Sequence, residues 1–298
     1  MDIGFTLPQF HRQASEIDRA AEFSKTLEDA GAASLWVGDR NLAAVHPSIG
    51  YGGFGNTIPE ELNPAADPFA LLAVAASATD RVRLGTHVLI APLYPVVQLA
   101  RSLTSIDRIS GGRLIPGFGI GWSPEEYEAA SVRFDRRGAL LDEQLDALHE
   151  MWTRDPAGYR GKLLSVPEHH SPLKPIQDPH PPIYLGGVAE AALRRVGERA
   201  DGWLPFCAIP SFVDVGSLKD QQRTVEDAAR AAGRDLGDID AVLRINIDVG
   251  AALTLVATTV RQIAEETAIS HFVFDTTYSA SGVDHALTQS AELLALLQ

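Results

Sequence analysis

The chain of 298 residues holds a single cysteine, Cys207. That excludes an intrachain disulfide and a cysteine-based zinc site, which need at least two thiols. No run of about 18 apolar residues occurs, so no transmembrane helix is expected. Basic residues are scarce: 25 Lys and Arg stand against 39 Asp and Glu, a net charge of −14. Such a surface repels phosphate backbones and anionic lipids, which argues against nucleic-acid and membrane partners. A basic start followed by an apolar stretch is missing from the N-terminus, so no export signal is expected and a cytoplasmic enzyme is the first reading. Two catalytic patterns are missing too. The first strand has no His-x-His pair, and His169-His170 lie in a proline-rich stretch, so no metal site is expected. No Gly-x-Ser-x-Gly turn exists, so no serine nucleophile can be picked out.

What is present is an even alternation. Hydrophobic residues make up 45% of the chain, enough to specify a folded core. Strand-like runs fall at Ile3–Leu7, Ser34–Val37, Val82–Ile90, Leu114–Phe118, Pro182–Leu185, Gly202–Phe206, Ala241–Val249 and His271–Asp275. Helix-like segments follow each. Short apolar strands joined by helices imply parallel pairing, because a parallel crossover needs a long connection. Eight such units predict an α/β fold, a (β/α)8 TIM barrel, as one domain over residues 1–298. Val96, Leu99, Leu103 and Ile106 share one helical face, as do Leu141, Leu145, Leu148 and Trp152. Ser15 is expected to cap the first helix, with Gly31 ending it and Gly111-Gly112 ending the third.

Two stretches break the rhythm: residues 41–66 after the second strand and residues 154–182 before the fifth. Long irregular segments in a compact domain are often binding loops or lids, and a tolerated surface insertion is the alternative. The seventh strand carries a further message. Alternation sends Leu243, Ile245, Ile247 and Val249 toward the helices, and Arg244, Asn246 and Asp248 into the barrel. A buried charge is tolerated only when paired, so a polar network is expected inside.

Active sites of such barrels lie at the C-terminal strand ends. Those ends carry Gln9 and Phe10; Gly38, Asp39 and Arg40; Thr86, His87 and Ile90; Gly119, Gly121 and Trp122; Gly186 and Gly187; and Asp275, Thr276 and Thr277. Glycine at a strand end lets a planar ring or a phosphate approach the backbone. Gly186-Gly187 precede a helix expected to start near Ala189, where free N–H groups suit an anion.

Several strings in order resemble the bacterial luciferase-like superfamily: Ser34-Leu35-Trp36-Val37-Gly38-Asp39, Arg81-Val82-Arg83-Leu84-Gly85-Thr86, and Gly119-Ile120-Gly121-Trp122. Further strings follow: Phe134, Arg137-Gly138, Asp142-Glu143, Pro181-Pro182-Ile183-Tyr184-Leu185-Gly186-Gly187 and Ala200-Asp201-Gly202-Trp203. The chain looks closest to the F420-dependent oxidoreductase branch. The resemblance implies a barrel holding coenzyme F420 or, alternatively, FMN. It implies cofactor contacts from Asp39, Thr86, His87, Val88, Gly119, Gly121, Trp122, Gly186, Gly187 and Val188. His87 and Val88 match a bulge, often with a non-proline cis peptide, behind the ring. Asp39, Arg40 and His87 are the catalytic candidates, and Arg194-Arg195 the expected attractors of the cofactor's anionic tail. A homodimer is the family expectation.

Two positions depart from the pattern. Deazaflavin relatives often have His where Arg40 stands, so a titrating group is replaced by a fixed cation that suits an anionic substrate or a reduced ring. Trp122 occupies the place of an acid in the sugar-phosphate-oxidising branch, so that substrate is not expected. The resulting reading is hydride transfer between coenzyme F420 and a small organic substrate. Its rivals are an FMN-dependent monooxygenase fed by a separate reductase and a cofactor-binding protein without turnover.

Overall fold

The computed structural model describes the chain apart from Phe54, Leu236 and Asp238. Its strands are β1 (Asp2–Thr6), β2 (Ser34–Val37), β3 (Arg83–Thr86), β4 (Leu89–Ile90), β5 (Leu114–Ile115), β6 (Gly117–Gly119), β7 (Ala157–Arg160), β8 (Ser165–His169), β9 (Tyr184–Gly186), β10 (Gly202–Leu204), β11 (Phe206–Ile209), β12 (Asp240–Ile247) and β13 (His271–Asp275). Its helices are α1 (Ala20–Asp29), α2 (Pro68–Ala78), α3 (Val96–Ser110), α4 (Pro124–Ala129), α5 (Arg137–Thr153), α6 (Glu190–Arg199), α7 (Val215–Ala231), α8 (Leu253–Glu266) and α9 (Val283–Leu297). The result is an α/β fold with a curled parallel sheet. Neighbours run β4-β6-β9-β10-β12-β13-β1-β2-β3-β5, with β11 against β12. Among the described residues, no helix is long and apolar enough to cross a membrane.

Three expected strands are interrupted, two of them at proline. Pro116 separates β5 from β6, and Pro205 separates β10 from β11. Proline has no N–H for the ladder, so pairing lapses there and resumes. The third strand lapses at His87 and Val88, whose peptide is cis, as the resemblance implied.

Side-chain alternation fixes what fills the sheet's inner face. Leu243, Ile245 and Ile247 join the core beneath the helices, with Ile3, Phe5, Leu35, Val37, Phe272 and Phe274. Trp36, Ile115, Tyr184, Leu204, Val242 and Val273 point the other way and form a separate inner cluster, against which Val88 packs. Trp36 is its largest member and fully buried. Gly85 makes room for it: a Cβ there would collide with the indole.

Ser15 does not cap the first helix. Residues His11–Arg19 form tight 3-10 turns before α1, and the Ser15 hydroxyl donates to the Arg12 carbonyl instead. The helix start near Ala189 is as expected, with Ala189 preceding α6. Val249 ends up exposed beyond β12 rather than under a helix. The 154–182 stretch contains structure that proline content concealed: β7 and β8 pair as an antiparallel hairpin, Tyr159 opposite Val166. The 41–66 stretch is irregular, with short 3-10 turns at Tyr51–Gly53 and Glu60–Leu62.

Candidate active site

The sheet's C-terminal edge gathers most of the expected residues. Gln9, just past β1, is buried and acts as a stitch. Its amide accepts from Gly38 N at 2.7 Å and donates to the carbonyls of Gly38 and Ala66, each at 3.0 Å. One side chain thus ties the exits of β1 and β2 to the end of the 41–66 stretch.

Asp39 follows β2. Its carboxylate accepts from Ile90 N and from the Tyr94 hydroxyl, both at 2.8 Å. Burial outweighs these two bonds, with Glu126 and Asp67 adding repulsion, and pushes its pKa up to about 7. Asp39 is therefore poised to hold or release a proton near neutrality.

Arg40 turns inward. Its side chain is 5% exposed, its guanidinium lies 4.8 Å from the Trp122 ring centre, and Nη1 is 3.9 Å from Glu126. Glu126, from α4, is itself buried and accepts from Asn41 N and Leu42 N at 2.8 and 3.4 Å. Across the ring, Trp122 meets Tyr51 edge-on at 5.7 Å, so the 41–66 stretch covers this side of the pocket. Ser48 fastens the same stretch to Glu125, its N–H and hydroxyl both donating at 2.7 Å.

Val88 forms a shelf. A Cβ added at Gly119 would come within 2.6 Å of one Val88 methyl, and a Cβ at Gly186 within 2.8 Å of the other. Glycine at both positions lets the apolar Val88 side chain seat against the backbone, where any Cβ would collide with it. Gly187 continues from Gly186 with φ +137°, a region closed to most side chains. It leads into α6, whose cap residue Ala189 offers no side-chain acceptor. The first N–H groups of that helix carry the positive end of its dipole. Val188, at this turn, is exposed. An apolar shelf flanked by glycines and followed by an uncapped helix start fits a phosphate-bearing tricyclic cofactor.

Two of the expected contacts are buried and already bonded within the protein. Thr86 is fully buried, and its hydroxyl is used twice by Gly117, accepting from N and donating to O at 2.7 Å each. It joins two strands. His87 is also buried; its ring nitrogen bonds the Pro205 carbonyl at 3.1 Å. Burial, then the charge of Arg244, lowers its pKa to about 3, so the ring stays neutral and belongs to the wall. Arg195 and Arg194 do not wait for an anionic tail. Arg195 is tied to Asp142 at 2.6 Å, and Arg194 to Glu190 of its own helix at 2.9 Å.

Below the pocket lies the expected polar network. Arg244 donates to Asn246 at 3.1 Å, to the His87 carbonyl at 3.1 Å, and to Asp275. Asp275 also accepts from Thr6 and Thr277. Burial raises the Asp275 carboxyl, but Arg244 and Thr277 outweigh it and hold it below its ordinary value. Asp248 lies outside this network and accepts from Ser211 N. Tyr51, Tyr94, Glu126 and Tyr278 were not legible as site residues in the sequence. Nothing marks a tyrosine in an irregular stretch or a glutamate on a short helix as buried.

Comparison with known proteins establishes the family. The model of one family, luciferase-like monooxygenase, matches residues 1–294. The chain belongs to the luciferase-like monooxygenase family. It is 31% identical over 194 residues to the uncharacterized protein Rv0953c of Mycobacterium tuberculosis, covering 64% of this chain and 65% of that relative. It therefore spans just under two thirds of that protein's length. Two solved structures superpose over nearly the whole chain. One is an F420-dependent secondary alcohol dehydrogenase in complex with an F420-acetone adduct, at TM-score 0.78 and 16% identity, covering 100% of this chain and 99% of the other. The other is monooxygenase RslO1 from Streptomyces bottropensis, at TM-score 0.77 and 19% identity, covering 99% and 97%. At such identities the likeness is one of fold.

Proposed function

We propose that this chain is a single-domain (β/α)8 oxidoreductase over residues 1–298, transferring a hydride between coenzyme F420 and a small organic substrate. In this reading β3 with β4, β5 with β6, and β10 with β11 are the third, fourth and sixth barrel strands. Residues 41–66 and 154–182 are then insertions after the second strand and before the fifth. The observation that carries the proposal is the Val88 shelf between Gly119 and Gly186, continuous with Gly187 and the start of α6. The bound deazaflavin supplies hydride chemistry at its central ring. Val88, Gly119, Gly121 and Trp122 border the ring, and Gly186, Gly187 and Val188 hold the phosphate. Asp39 holds a proton beside the pocket, and Tyr94 fixes its carboxylate. Trp122 and Tyr51 keep water from the substrate side.

The test is titration of the purified protein with each cofactor, followed by fluorescence quenching. Saturable quenching of F420, with much weaker binding of FMN, is the expected result. The opposite preference overturns it. The family's monooxygenase description and the RslO1 likeness favour a second reading, an FMN-dependent monooxygenase with a separate reductase. Oxygen uptake with reduced FMN selects that reading, and tight binding without turnover on any substrate selects a non-catalytic binder.

A further inference from the structure

The Arg40 guanidinium is the most unusual polar group in the pocket. Its side chain is 5% exposed, yet Nε and Nη2 have no hydrogen-bond partner among the described residues. These two atoms form one edge of the planar group, the side that grips a carboxylate with two parallel N–H bonds. On the opposite side Nη1 faces Glu126 at 3.9 Å, an ion pair without a hydrogen bond, and the flat face lies against Trp122 at 4.8 Å. Glu126 does not complete Arg40: its facing oxygen, Oε2, stands 3.9 Å from Nη1, beyond hydrogen-bond reach, and Oε1 is taken by Asn41 N and Leu42 N. A second orphan lies in the same cluster. The Tyr278 hydroxyl is buried beside Tyr51 but makes no hydrogen bond of acceptable geometry to any described residue. Both tyrosines are electrostatic neighbours of Arg40.

Buried donors are nearly always satisfied, and a buried cation is kept only where something compensates it. A folded protein that holds two adjacent guanidinium donors unmade, braced by an aromatic face, has a receptor edge. We propose that this edge binds the carboxylate of the substrate, and that the substrate class is small planar organic acids. Trp122 covers one flat face of the guanidinium, so an anion meets it in its own plane, where the two coplanar oxygens of a carboxylate match the two N–H groups. The inference rests on the reading of this pocket as the substrate side of the cofactor site. It adds to that reading the chemical class that enters.

Benzoate, benzamide and inorganic phosphate serve as probes, measured by calorimetry on the protein with and without F420. Benzoate is expected to bind saturably, and benzamide about tenfold or more weaker, since the amide loses the charge-assisted pair. Phosphate is expected not to compete. Arg40→Lys keeps the charge but not the fork, and is expected to weaken benzoate about tenfold while melting as the wild type does. Equal binding of benzoate and benzamide overturns the proposal, as does displacement of benzoate by phosphate at equal concentration. The comparison of probes on the wild-type protein stands even if the variant fails to fold. Benzoate binding through Arg40 in a protein that does not quench F420 supports the carboxylate edge and removes the hydride-transfer reading. F420 quenching without benzoate selectivity does the reverse.

Discussion

Asp39 gives the sharpest quantitative test. Its carboxyl titrates at about 7 in the folded chain against an ordinary 3.8. The native state thus holds that proton more tightly than the unfolded chain. At acid pH both states are protonated and Asp39 is neutral toward folding. As pH rises from about 4 to about 7, the unfolded chain releases the proton first, and Asp39 increasingly opposes folding. At about 1.4 kcal/mol per pKa unit, the opposition reaches about 4 kcal/mol at pH 8.5 and about 2 kcal/mol at pH 5.5. Asp39→Asn removes the charge and keeps both contacts: the new oxygen still accepts from Ile90 N, and the new amide donates to the Tyr94 hydroxyl. The substitution is therefore expected to stabilise the protein, and by about 2 kcal/mol more at pH 8.5 than at pH 5.5. Urea unfolding at the two pH values measures it. A gain that is the same at both, or larger in acid, refutes the idea that Asp39 is a strained proton holder. Turnover should fall in the same variant, because the amide cannot exchange the proton.

Three further outcomes follow from the geometry. Gly187→Val places a branched side chain at φ +137°, with its Cβ 2.6 Å from Ala192, and is expected to abolish cofactor quenching while costing only about 2–4 kcal/mol of stability; unchanged affinity removes this turn from the site. Arg244→Met leaves Asp275 buried without its cation and should cost about 3–5 kcal/mol in urea unfolding, with Asp275→Leu in the same chain restoring much of it; a neutral single variant shows the pair to be dispensable. Gly85→Ala drives a methyl into Trp36 and should cost at least about 1–3 kcal/mol, partly restored by Trp36→Phe; no loss on melting means the inner cluster has slack.

Much of this protein is legible in its residues alone. The two-residue period of Leu243 through Ile247 decided which side chains meet the helices, and it also placed Arg244 inside, because a strand has only two faces. The same period sends Phe272 and Phe274 one way and Val273 and Asp275 the other. Glycines at the strand ends were legible as bare backbone, since only they lack a side chain. Sequence did not reveal the β7–β8 hairpin, because its prolines and glycines read as loop and its pairing is cross-strand. It did not reveal that His87 and Thr86 are consumed by neighbours: a strand-end position says where a residue lies, not which carbonyl its ring or hydroxyl finds. Arg40 was visible as a cation after the second strand. Only the assembled chain shows that Glu126, Trp122 and Tyr278 surround it and leave one edge unsatisfied. Local pattern is enough to determine period, face and turn, since these depend on bonded geometry and solubility within a few residues. Desolvation, orphaned donors and the raised Asp39 carboxyl depend on groups brought together from distant parts of the chain, and tertiary packing alone decides them.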